Sequence, residues 1–222
     1  MLGLTSSYAH AIWIETSSEG VAGKPQEIKI YFGEFATEDI SAASAWYGDL
    51  SQFDLKWVKP TGEITRLPLK ANGDHFVSSI TPNGQGRHQL LLEKTASEIS
   101  YGYKLSFMAS ATISVGQPTK KAAPLLPISV ETETLKGTVG KAFYLQYHKA
   151  DSLKGDQEIT VVSPNSWTKK LYADDKGSAH FTPLWPGKYL IETTLTDKNK
   201  GAYKGQDYEV AFYCHTYVVE IE

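Results

Sequence analysis

Hydrophobic and polar residues alternate along most of this chain with a period of two, the spacing of an antiparallel β-strand. In residues 26–32, for example, Ile28, Ile30 and Phe32 alternate with charged or amphipathic residues. Turn signals such as Asn-Gly and Pro-Thr-Gly separate these stretches. Further strands are predicted at residues 53–57, 63–69, 75–80, 87–93, 103–115, 141–148, 157–163, 168–173, 178–183, 188–194 and 209–220. The pattern predicts an all-β protein.

One stretch departs from this alternation. Residues 37–47 (TEDISAASAWY) have the composition of a short helix, with Thr37 as a candidate N-cap and Glu38 and Asp39 in the first turn. We therefore expect one helix in the first half of the chain.

A second break falls near the midpoint, where residues 116–127 contain three prolines and show no periodicity. Such a segment is typical of a semi-rigid connection between domains. We predict two tandem, antiparallel, immunoglobulin-like β-sandwich domains at residues 10–117 and 128–222, joined by a linker at 118–127. No internal repeat relates the two halves.

Composition narrows the range of partners. The 222 residues carry a formal net charge of -3, so the chain has no basic surface of the kind that nucleic acid attracts. No uninterrupted apolar run approaches the roughly 18 residues of a membrane-spanning helix. Cys214 is the single cysteine, which excludes an internal disulfide.

The first nine residues, MLGLTSSYA, resemble the end of a secretory signal, with small residues at Ser7 and Ala9. Cleavage after Ala9 would make His10 the mature amino terminus and would place the protein in the periplasm or outside the cell. Two alternatives remain open. Cleavage after Ala11 would remove the histidine, and residues 1–9 could be an unprocessed leader.

A free amino-terminal histidine offers an α-amine and an imidazole nitrogen that can chelate nickel, cobalt, copper or zinc. His10 is therefore the first candidate metal ligand, although it could equally be the ordinary entrance to a strand. A copper enzyme built on a histidine brace would need a second histidine near it.

Four other residues are candidate metal ligands. Cys214 and His215 are both of suitable chemistry, but adjacent residues in a strand point to opposite faces unless a bulge intervenes. Cys214 also fits an alternating apolar face as a small buried residue. Strand parity places His148 and His180 on the less buried faces of their strands, where they could bind an ion.

Enzyme motifs are missing from the sequence. There is no Gly-x-Ser-x-Gly elbow, no His-Glu-x-x-His, no phosphate-binding glycine loop and no dinucleotide fingerprint. We therefore predict a binding protein. Aromatic residues make up 12% of the chain, and Trp46, Trp167 and Trp185 lie near predicted loops, so a carbohydrate-binding or adhesive sandwich without metal is the alternative.

The motifs His10-Ala11-Ile12-Trp13-Ile14-Glu15 and Gly23-Lys24-Pro25 resemble the opening of an exported bacterial family catalogued as domain of unknown function 4198. The second half is similar as well. Its matching motifs are Leu126-Pro127-Ile128, Gly140-Lys141-Ala142-Phe143, Asp175-Lys176-Gly177 and Pro186-Gly187-Lys188-Tyr189.

That family is described as similar to the extracytoplasmic component of nickel uptake transporters. The resemblance implies an exported, immunoglobulin-like protein that takes part in transition-metal uptake or handling, with a metal ion or a membrane transporter component as its partner. It implies no catalytic residues. The resemblance covers nearly the whole chain, from His10 to Ile221.

Overall fold

The computed structural model describes residues 10–116 and 124–222. The predicted leader, the last residue of the first predicted domain (117) and residues 118–123 of the predicted linker lie outside the described residues. Strands dominate the described chain and assemble into packed sheets, which confirms the predicted all-β sandwich class. The strands are β1 (Ala11–Glu15), β2 (Glu19–Gly20), β3 (Gln26–Glu34), β4 (Asp39–Ile40), β5 (Asp54–Val58), β6 (Ile64–Leu67), β7 (Lys70–Asn72), β8 (His75–Ile80), β9 (Gly86–Thr95), β10 (Tyr103–Val115), β11 (Ile128–Thr132), β12 (Lys136–Gly137), β13 (Phe143–Lys149), β14 (Asp156–Val162), β15 (Thr168–Leu171), β16 (Ser178–Phe181), β17 (Gly187–Asp197), β18 (Gly201–Tyr203), β19 (Gln206–Tyr208) and β20 (Val210–Ile221).

The predicted helix at residues 37–47 is wrong. The segment forms β4, which pairs with the end of β3, and then a single 3₁₀ turn at Ala43–Ala45. Burial explains the difference, because Trp46 packs into the core with its ring 5.5 Å from that of Phe53. Tertiary packing of the aromatic residue overrides the local helical composition.

A single large sheet spans both halves of the chain, with the strand order β15-β14-β17-β20-β10-β9-β5-β6. Neighbours in this order are antiparallel except for β10 and β20, which run parallel from the Tyr103–Val210 pair to the Ser110–Tyr217 pair. The two predicted sandwiches are therefore joined by hydrogen-bonded strands in addition to the chain connection.

Two smaller sheets cover opposite faces of the large one. The sheet β1-β3-β8-β7 packs on the first half, and the sheet β11-β13-β16 packs on the second. Phe107 and Ala109 of β10 belong to the first hydrophobic core, whereas Met108 between them belongs to the second. Strands β10 and β20 are consequently buried on both faces, a burial otherwise typical of parallel sheets.

Strand β1 is an edge strand of its sheet and lies against β20. The Thr216 hydroxyl donates to the Ile12 carbonyl at 2.6 Å. Trp13 packs with Val162 and Leu190 of the second half. Lys188, which lies opposite Glu220 in the β17–β20 pair, forms an ion pair with Glu15. Strand β1 thus runs along β20 in the same direction.

No helix within the described residues has the length and apolar character needed to cross a bilayer.

Candidate functional site

The five predicted metal ligands lie in three separate places. Cys214 and His215 are consecutive residues of the regular strand β20, and their side chains point to opposite faces. Cys214 belongs to the first core, whereas His215 contacts β11, in the second half. No bulge brings the two together, so they cannot bind one ion as a pair.

His215 is fully buried, and both of its ring nitrogens have partners. The backbone N–H of Val130 donates to Nδ1 at 3.4 Å, so Nε2 carries the proton and donates to the Ser110 hydroxyl at 2.8 Å. Burial lowers the pKa of His215 to about 3. The imidazole is therefore neutral and fully engaged in hydrogen bonds, which is the arrangement of a structural histidine.

Cys214 forms a hydrogen-bonded pair with Glu192 of β17. Burial raises the pKa of the thiol, and the Glu192 carboxylate beside it raises it further. Burial also raises the pKa of Glu192 to about 7, with the carboxylate of Glu158 adding to the shift against the opposing hydrogen bond from Cys214. The sulfur is therefore a protonated thiol that donates to a carboxyl group, and its nucleophilicity is low.

Glu192 was not among the sequence candidates. Glu192, Thr194 and Thr196 are polar residues at alternate positions, a pattern typical of the solvent-facing side of a strand. No local signal shows that the side chain faces the Cys214 thiol, because that contact depends on the β17–β20 register, which pairs Glu192 with Thr216 and Thr194 with Cys214.

His148 and His180 share the outer face of the small sheet β11-β13-β16, but they lie far apart on it. His180 is opposite Tyr144 in the β13–β16 pair, with the two rings 5.6 Å apart. His148 lies four residues further along β13, which corresponds to about 13 Å at 3.3 Å per residue. It instead faces Glu131, with 3.8 Å between Nε2 and the carboxylate. The two histidines cannot share an ion.

His10 immediately precedes β1 and is exposed. Its ring lies 5.5 Å from that of Phe32, which in turn contacts the rings of Trp46 and Phe107. The side chain therefore rests on the edge of the first core. Because β1 runs along β20 and Ile12 meets Thr216, His10 lies toward the part of β20 that contains Cys214.

Across residues 10–116 and 124–222, no three histidine, cysteine, aspartate or glutamate side chains form a group that could hold a metal ion. A metal site within these residues would therefore rest on fewer side chains, supplemented by a backbone or terminal donor.

The three tryptophans of the carbohydrate alternative differ in exposure. Trp46 is buried, stacked on Phe53. Trp167 is 42% exposed, and its ring meets that of the half-buried Trp185 edge-on at 6.2 Å. Leu184, next to Trp185, is also exposed. Trp167 and Trp185 therefore form a small aromatic surface on the second half.

Two clefts lie on either side of the Glu15–Lys188 ion pair. One cleft of about 650 Å³ lies between the segment after β1 and the end of β20. A second cleft of about 540 Å³ contains three aromatic side chains, Trp13, Tyr31 and Phe35. Sequence analysis missed this second cleft because its walls come from β1, β3 and the loop before β15, which are distant along the chain.

Comparison with known proteins gives no family. No family model matches the chain, and no curated protein does. Among solved structures, the chain is similar to murine CEACAM1b at 9% sequence identity and a TM-score of 0.25, covering 96% of this chain and 98% of that one. A likeness at this level carries no argument about function.

Proposed function

We propose that this chain is an exported accessory protein that binds a transition-metal ion (nickel, cobalt, copper or zinc) through His10 once residues 1–9 are removed. The observation that carries the proposal is the exposed position of His10 directly before an anchored strand. In the periplasm, such a protein would hold the ion for a membrane transporter component.

The donor chemistry supports this proposal. A terminal His10 would supply two nitrogen donors from one residue, the α-amine and Nδ1, so it needs no group of three side chains. The strand behind it is held by the Thr216 hydrogen bond to Ile12 and by the buried ring of Trp13. This anchoring would keep the chelate in one position on the surface.

A single-histidine chelate fits this chain better than a copper-oxidising histidine brace. A brace needs a second imidazole with a free nitrogen, and the buried ring of His215 has both nitrogens engaged in hydrogen bonds. His148 and His180 belong to the small sheet of the second half, which covers the face of the large sheet opposite to β1.

Calorimetric titration with nickel and copper chlorides tests the proposal. A chain beginning at His10 should bind one ion with a dissociation constant in the micromolar range or below. His10→Ala should abolish binding, and acetylation of the terminal amine should weaken it by at least about tenfold, since one donor of the chelate is lost. Unchanged binding by His10→Ala would contradict the proposal, as would a mature terminus at Ile12 found by mass spectrometry of the exported protein.

A second function is favoured by the exposed Trp167–Trp185 surface, because sugar rings stack on accessible indoles. Trp167→Ala should then abolish retardation of the protein in gels that contain soluble polysaccharide. Tyr101→Ala is the matched control, since Tyr101 is exposed and isolated from this surface. Equal retardation of both variants would rule this function out.

A further inference from the structure

The 540 Å³ cleft combines aromatic walls with carboxylates. The ring of Trp13 is stacked on that of Tyr31 at 5.4 Å, and the ring of Phe35 meets Trp13 edge-on at 5.6 Å. Trp13 itself is buried, and the Tyr31 ring lies between the rings of Trp13 and His75, with the His75 centroid 5.2 Å away. Phe35 and the remaining exposed part of Tyr31, both half-buried, are therefore the aromatic surface available to a ligand. The cleft therefore presents a corner of two aromatic side chains supported from behind by a third.

Negative charge predominates around this corner. Three carboxylates line the cleft, those of Glu15, Glu38 and Asp74, against one ammonium group, that of Lys188. Burial raises the pKa of Tyr31 to about 12, and the nearby carboxylates of Glu15 and Asp74 add to the shift. The His75 Nδ1 atom lies 2.7 Å from the Asp74 carboxylate.

Lys188 places a positive charge at the boundary of the cleft. Its ammonium group forms an ion pair with Glu15 at the boundary of the cleft, and the same Glu15 carboxylate accepts a hydrogen bond from the Trp13 indole at 3.1 Å. The chain thus already places one cation at the boundary of the cleft, and that side chain is more than half exposed.

Aromatic faces combined with carboxylates recognise ammonium groups, because the ring quadrupole and the carboxylate charge both attract a cation while the ring surface shields its methyl groups. We propose that this cleft binds a small organic cation with a substituted ammonium head, independently of any metal bound at His10. The volume is within the range of small-molecule sites.

The test follows the Trp13 indole N–H resonance, assigned by its loss in Trp13→Phe, during titration with choline chloride. A neutral isostere, 3,3-dimethyl-1-butanol, and sodium chloride at equal ionic strength are the controls. Choline should shift the resonance saturably, and neither control should. No saturable shift up to about 100 mM choline, the weak end of specific binding, would overturn the proposal, and so would an equal response to the neutral alcohol.

Variants separate recognition of the cation from simple filling of a cavity. Tyr31→Leu should weaken choline binding by about tenfold, and Phe35→Leu serves the same purpose if the first variant fails to fold. Tyr101→Leu is the matched control with no expected effect. Lys188→Met should bind choline several-fold more tightly, because the competing cation is gone. Weaker or unchanged binding by Lys188→Met would overturn the proposal.

Discussion

His215 illustrates how the centre of the large sheet accommodates an ionisable side chain. The ring is neutral for two reasons. Protonation of Nδ1 would break the hydrogen bond that it accepts from the Val130 N–H, and it would also bury a positive charge. In the unfolded chain the same imidazole titrates near pH 6.5. The difference between the two states makes His215 a source of acid instability.

The sign follows from proton linkage. Below about pH 6.5 the unfolded state binds a proton at His215 that the folded state does not bind until about pH 3. The free energy of unfolding should therefore be fully retained above pH 6.5 and fall as the pH drops toward 3, by on the order of 5 kcal/mol from this group alone. Urea titrations at pH 7.5, 6 and 5 should show a shallower decline in His215→Gln than in the unmodified protein. Parallel declines would contradict this assignment.

Glu192 is expected to have the opposite dependence. Its pKa is raised to about 7 in the folded protein, so between about pH 4.5 and 7 the folded state binds more protons than the unfolded state. Stability from this group is present at low pH and is lost as the pH rises through 7. Glu192→Gln should therefore unfold at higher urea concentration than the unmodified protein at pH 8 and show little difference at pH 4.5. The variant Glu220→Gln, on the exposed end of β20, is the control.

Part of this residue-scale picture could be predicted from the sequence. Strand parity correctly separated Cys214 from His215 and placed His148 and His180 away from the apolar faces. The Glu192–Cys214 contact could not be predicted, because cross-strand neighbours depend on which strands pair and in which register. The hydrogen bonds of His215 could not be predicted either, because they too depend on which strands lie next to each other.

At the scale of elements, the turn between β15 and β16 shows what a glycine contributes. Gly177 has φ +80°, and a Cβ there would lie 2.4 Å from the Tyr147 carbonyl oxygen. Asp174 closes the turn by accepting from the backbone N–H groups of Lys176 and Ser178. This Asp-Asp-Lys-Gly turn also packs closely on β13.

Gly205, between β18 and β19, provides a matched comparison. Its φ is +78°, but a Cβ there would meet nothing within 4 Å. Gly205→Ala should cost about 1 to 2 kcal/mol, the conformational cost of a left-handed alanine. Gly177→Ala should cost about 2 kcal/mol more, because backbone must also move. Thermal and urea unfolding of both variants would measure the difference. Equal decreases in the free energy of unfolding would show that the Tyr147 carbonyl moves away without an energetic cost.

The strands were predicted well from alternation and turn residues, whereas the helix at residues 37–47 was not present. The Ser and Ala residues there permit a helix, but Trp46 supplies the decisive energy by packing among Phe32, Phe53 and Phe76. Those rings come from β3, from β8 and from the residue directly before β5. A local composition therefore could not reveal this competition.

At the scale of the whole molecule, the shared sheet should make the two halves unfold together. Ile30 lies in the first core and Ile191 in the second, and both are fully buried. Substitution of either by alanine should cost about 2 to 5 kcal/mol. Because β10 and β20 connect the cores, each variant should accelerate hydrogen exchange in both β3 and β17 by the same free energy. Acceleration confined to the substituted half would show that the halves unfold separately.

The shared sheet itself was beyond the reach of the sequence pattern. The break at residues 116–127 indicated two tandem sandwiches, and two hydrophobic cores are present. The parallel pairing of β10 with β20 joins segments roughly a hundred residues apart, and no turn or motif in the sequence predicts it. In the structure the pairing leaves residues 105–111 of β10 buried at every position in place of strict alternation.

The same pairing affects folding during synthesis, because β10 is made well before its partner β20. Between the synthesis of β10 and that of β20, a ribosome adding 5–20 residues per second needs about 5 to 20 s. Throughout that interval β10 has one bare edge and two apolar faces, a combination that favours association with other chains. A lower concentration of nascent chains, or a chaperone that holds them, should therefore raise the yield of native protein.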